Sequence, residues 1–138
     1  MKTFKSVMLM VLALMIFACE SDDDGGSGLT NQELLVLGTW YQESSTDPDG
    51  DFTACDKNTS YIFTSTNNLN IEVFDDGSGT CESLGTINAT YSLANDVDLT
   101  INLPGDPGLV ATIIEISETI LVVEDDQGIR ITLDKTQG

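Results

Sequence analysis

The chain has 138 residues, enough for one domain, with 23 acidic residues against 5 basic ones, no histidine and a formal net charge of −18. Such a charge excludes a role in binding nucleic acid or anionic surfaces, while cationic partners and divalent ions remain open. The commonest general acid–base side chain is missing and no serine sits in a nucleophile-elbow pattern, so no catalytic constellation is visible and a non-enzymatic role is expected.

The chain opens on basic Lys2 and Lys5, an unbroken apolar run from Val7 to Phe17, and small Ala18 before Cys19. That is the order of a secretory signal, and the run is shorter than the roughly 20 residues that span a bilayer. By itself the segment is either an ordinary signal with a chance cysteine or a signal ending at a lipidated one. Ile16-Phe17-Ala18-Cys19 resembles the lipobox of bacterial lipoproteins. That resemblance implies cleavage before Cys19 and acylation of it, and each buried CH₂ of an acyl chain adds about 0.8 kcal/mol of membrane affinity. Ser21-Asp22-Asp23-Asp24 resembles the acidic export signal of Bacteroidota lipoproteins, which implies the outer face of the outer membrane; the alternative is a solvated acidic spacer. Gly25 to Gly28 reads as a flexible linker. Residues 1–18 are thus expected to be a signal, 19–29 a lipid anchor and tether, and 30–138 the folded domain. Loss of the signal leaves 3 basic against 23 acidic residues.

Thr30 and Glu33 have capping-box spacing ahead of Leu34, Leu35 and Leu37, which predicts one short helix that Gly38 stops. From there apolar and polar residues alternate with period two, broken by turn chemistry, which predicts about eight strands. These are Thr39 to Ser44, Ser60 to Thr64, Leu69 to Phe74, Leu84 to Leu93, Asp98 to Leu103, Leu109 to Ile116, Thr119 to Glu124 and Ile129 to Asp134. The second and third meet around Asn67-Asn68, and the fourth and fifth at Asn95-Asp96. Leu84, Ile87, Ala89, Tyr91 and Leu93 are the apolar members of the fourth strand. Such a meander is all-β and antiparallel with one apolar face. Its edges vanish either by closure into a barrel or by a second sheet, and periodicity does not choose between the two.

Gly38-Thr39-Trp40, at the start of the first strand and just after the short helix, resembles the lipocalins. The resemblance spans roughly residues 34 to 134, including Gly85 to Leu93 and Ile129 to Leu133, and extends to the lipocalin-like domains of Bacteroidota lipoproteins. It implies an up-and-down eight-stranded barrel in which Gly38 and Trp40 close one end. It also implies a basic residue laid over the tryptophan from the last strand, for which only Arg130 and Lys135 are available.

With Cys19 assigned to lipid, Cys55 and Cys81 form an even pair. Their bridge would close a loop of about 27 residues, worth roughly 3–4 kcal/mol in the chain-entropy view. A metal site is the competing reading, weakened by the absence of histidine and of a second cysteine near either position. Asp47, Asp49 and Asp51 have the opening acid spacing of a calcium loop, but Phe52 and Asn58 stand where an EF-hand needs glycine and glutamate. Solvated loop acid is the preferred reading, and no metal or cofactor is expected. Tyr61, Phe63, Ile71, Ile87, Tyr91, Ile101 and Leu133 are expected to face the interior and line any ligand space. Two functions follow: a barrel holding a small apolar ligand outside the cell, or a surface interaction or structural module with a filled core.

Overall fold

Eight antiparallel strands close into one barrel in the computed structural model, which describes residues 28–106 and 108–138. The expected signal, lipidation site Cys19 and export residues Ser21, Asp22, Asp23 and Asp24 lie outside the described residues. The strands are β1 (Thr39–Ser45), β2 (Ser60–Phe63), β3 (Asn68–Asp75), β4 (Glu82–Ala94), β5 (Asp98–Asn102), β6 (Leu109–Ile116), β7 (Ile120–Asp125) and β8 (Arg130–Asp134). Each pairs with the next, and β8 returns to β1 through Gln42↔Leu133 and Ser45↔Ile131. Closure removes both edges of the meander and decides for the barrel over the sandwich.

The helix α1 (Asn31–Leu35) forms where its capping box predicts. The Glu33 amide donates to Thr30 Oγ1 at 3.2 Å, and the Thr30 amide donates to Glu33 Oε2 at 2.8 Å. Together these satisfy donors that a helix N-terminus leaves without intrahelical partners. Leu34 and Leu35 are buried, and Gly38 takes the positive φ of 80° that lets the chain turn from helix to β1. A single 3₁₀ turn at Asp56–Asn58, absent from the expected elements, organises the long loop after β1.

Three bulges break the period-two pattern. In β4, Val73 pairs with Gly85 and Phe74 with Ser83, so Leu84 is the extra residue. It is 68 % exposed, although it is one of the apolar members of the strand. The bulge resets parity, and the odd-numbered Ile87, Ala89 and Tyr91 then share the inner face. In β6, Ile114 is skipped in the same way and faces out, while Ile113 is buried and Ile116 packs against the core. The β2–β3 turn also falls one residue earlier than expected: Asn67 takes φ of 63°, and Asn68 already belongs to β3. Asn95 and Asp96 both adopt positive φ at the expected β4–β5 turn, a conformation these residues tolerate better than most.

Candidate ligand cavity

The barrel has a plugged end and an open end. At the plugged end, α1 lies beneath the β4–β5 turn, with Asn31 Nδ2 donating to the Asp96 carbonyl at 2.8 Å. Gln32 Nε2 donates to Tyr91 Oη, which itself donates to the Thr64 carbonyl at 2.7 Å. Trp40 is fully buried, and its Nε1 donates to the Leu35 carbonyl at 2.9 Å. Lys135, the residue after β8, places its Nζ 3.3 Å from the centre of the Trp40 ring and also donates to the Leu37 carbonyl. Of the two basic residues considered for this position, Lys135 takes it. Arg130 instead pairs with Glu124 at 2.6 Å. Burial lowers the Lys135 amine from the ordinary 10.5 to about 8. The ring face and the carbonyl favour the charged amine and oppose that shift.

Above this plug the core does not fill the barrel. A cavity of about 570 Å³ runs from a floor of Phe63, Leu121 and Leu133 past Tyr61, Ile71, Leu99 and Ile101. Its mouth lies among Leu103, Gly108, Leu109, Asp125, Asp126 and Ile129, on the loops joining β5 to β6 and β7 to β8 and the strand ends beside them. The volume falls within the roughly 300–1,000 Å³ of common ligand pockets. Six of the seven residues expected to line a ligand space border it: Tyr61, Phe63, Ile71, Ile87, Ile101 and Leu133. Tyr91 does not. It shares their face but sits deeper, packed edge-on against Phe63 with ring centroids 5.0 Å apart, so it belongs to the plug. The walls also include Val73, Ala111, Val123 and Ile131.

One polar pair projects into this interior. Gln42 Nε2 donates to Tyr61 Oη at 2.8 Å. Gln42 follows Trp40 by two residues and so shares its face, a parity visible in the sequence that the search for apolar residues passed over. Burial pushes the Tyr61 phenol above its usual range, with the Gln42 hydrogen bond opposing. The phenol is therefore neutral at physiological pH and keeps its own proton for an acceptor.

Ile87 is 37 % exposed although it borders the cavity. β4 meets β5 only from Thr90↔Asn102 onward, so Glu82 to Ala89 pair with β3 alone. On that side the wall is the loop from Leu103, and a shallow notch between Thr86–Asn88 and Leu103–Asp106 shares Ile87 and Leu103 with the cavity.

At the open end, a disulfide joins Cys55 of the β1–β2 loop to Cys81, which precedes β4, with Cα atoms 5.4 Å apart. The bridge ties together two of the four loops around the mouth. The candidate calcium acids have local duties. Asp51 Oδ1 accepts from the Ser45 amide at 2.7 Å and from the Phe52 amide at 2.8 Å, bonds that hold its carboxyl below the usual range. Asp47 Oδ1 accepts from the Asp49 amide at 2.9 Å. Among the described residues, no three histidine, cysteine or carboxylate side chains converge as a metal site would need.

The family model described as a lipocalin-like domain matches residues 36–123. A solved lipocalin-like protein from Bacteroides uniformis superposes with a TM-score of 0.57 at 16% identity, over 74% of this chain and 99% of that one. An uncharacterized protein from Bacteroides eggerthii gives 0.56 at 14% identity, over 73% and 99%. At these identities the likeness is one of fold. No curated protein matches the chain.

Proposed function

The chain belongs to the lipocalin-like domain family, and from that premise we propose that it is a non-catalytic, lipid-anchored protein of the outer cell surface whose barrel holds a small apolar ligand. The observation that carries this reading is the apolar cavity of about 570 Å³ left above the Trp40 plug. Close packing normally leaves few voids larger than a water molecule, so a space of this size is not a packing residue. An apolar guest in it would meet apolar walls below the mouth except at the Tyr61 hydroxyl. The Tyr61 hydroxyl offers one donor to a ligand acceptor. Cys19 would supply the anchor, and Asp22 to Asp24 the address; both readings rest on the sequence. A filled interaction module, the second reading from the sequence, accounts for the plug but leaves the space above it without a role.

Residues 28–138 hold every strand of the closed barrel and are the segment to test. Titration with an apolar dye whose emission rises in dry surroundings should saturate near one dye per barrel. Ala111→Trp, which puts an indole into the cavity wall, should weaken that binding at least tenfold. No saturable binding by a folded barrel would remove the carrier reading and leave the interaction module.

A further inference from the structure

We propose that the ligand of this cavity is an amphiphile with a cationic head, and that anionic amphiphiles such as fatty acids are rejected at the mouth. This rests on the carrier reading above and adds the charge of the guest. Below the mouth the walls are apolar apart from the Tyr61 hydroxyl and its Gln42 partner, so an apolar tail lies inside and a charged head stays at the mouth, where it keeps its water. The field at that mouth comes from the loops at the open end. Asp125 and Asp126 border the cavity itself, Asp106 stands on the neighbouring β5–β6 loop, and Asp75 and Asp76 lead into the β3–β4 loop. The loop bridged through Cys55 adds Asp47, Asp49 and Asp51.

The described cations do not offset this charge. Lys57 is paired with Glu43 at 3.4 Å, Arg130 with Glu124 at 2.6 Å, and Lys135 lies on Trp40 at the opposite end. A carboxylate head would therefore meet carboxylates, with no unengaged lysine or arginine to receive it. A quaternary or primary ammonium head would meet the same groups as counter-ions. Acidic clusters on a surface are ordinary; here the cluster surrounds the entrance of an apolar chamber, which turns its field into a filter.

The test uses three probes with the same twelve-carbon tail: dodecanol, dodecyltrimethylammonium and dodecanoate. Each is titrated against the apolar dye bound to residues 28–138, the two ions below their critical micelle concentrations and dodecanol below its solubility limit. At about 0.01 M salt the Debye length is near 30 Å, and the ammonium probe should bind at least tenfold tighter than the carboxylate, with the alcohol between. At about 1 M salt, where the length falls to about 3 Å, the gap should shrink severalfold. Asp76→Asn combined with Asp126→Asn, which keeps side-chain shape while removing two charges, should narrow the gap at low salt. Tetramethylammonium, which has the head without the tail, should displace no dye. Equal affinity for the ammonium and carboxylate probes at low salt, or dye displacement by tetramethylammonium alone, would overturn the charge filter while binding of dodecanol keeps the carrier reading. Failure of dodecanol and both ions to bind would overturn the two together.

Discussion

Breaking the Cys55–Cys81 bridge is the perturbation whose size the structure sets most directly. The cysteines are 26 residues apart in sequence. A closed loop of that length removes denatured-state entropy worth about 3.5 kcal/mol at 25 °C. Reduction of the wild type removes the constraint without changing the composition, and Cys55→Ser with Cys81→Ser removes it permanently. Cys55 is buried, so the double variant should lose slightly more than the reduced wild type. Urea unfolding followed by Trp40 emission measures both. With a urea slope of about 1.5 kcal/mol per M, typical of a small domain, the midpoint should fall by about 2 M. A midpoint drop under about 0.3 M in both samples would refute the reasoning, showing that the folded loops gain comparable freedom when the bridge is cut or that the denatured chain is compact without it.

Lys135 should give stability a pH signature. The folded chain holds its pKa near 8, below the ordinary 10.5. Between these values the unfolded chain binds more protons, so stability should rise as pH goes from about 8 to about 9.5. Subtracting the urea curves of Lys135→Met isolates this contribution, and an unchanged or negative slope in the difference would mean that the Trp40 ring keeps the amine charged through the window. Leu121 is fully buried at the cavity floor, and Leu121→Ala should cost about 2–5 kcal/mol in the same assay; a loss below 1 kcal/mol would show a floor able to collapse. For the proposed anchor, fatty-acid labelling in cells should mark the wild type and miss Cys19→Ala, and equal labelling would dismiss it. Alanine at Asp22, Asp23 and Asp24 should leave the protein membrane-bound but shielded from external protease, whereas unchanged exposure would reduce the run to a spacer.

Local chemistry made much of the molecule legible. The Thr30–Glu33 box acts over four residues, and it places the start of α1, although the helix ends at Leu35, two residues before the expected Leu37. Period-two alternation likewise located all eight strands, because side chains on a strand must choose a face. The pairing of Cys55 with Cys81 followed from having two cysteines left to join. Parity identified the inner face of β2, β3, β5 and β8, and hence most of the residues bordering the cavity.

Only the tertiary structure decided what depends on distance between segments. A face does not specify depth: Ile87 and Tyr91 share a parity, yet one borders the cavity and the other is built into the plug. Bulges at Leu84 and Ile114 turned two strongly apolar residues outward, since a bulge is set by the register of the partner strand and leaves no apolar signature of its own. Arg130 and Lys135 were equal candidates until the β8 register gave one to Glu124 and the other to Trp40. The cavity is the difference between the volume a closed eight-stranded barrel encloses and the volume its inward side chains occupy. Neither quantity exists until β8 meets β1, so no local pattern carries it.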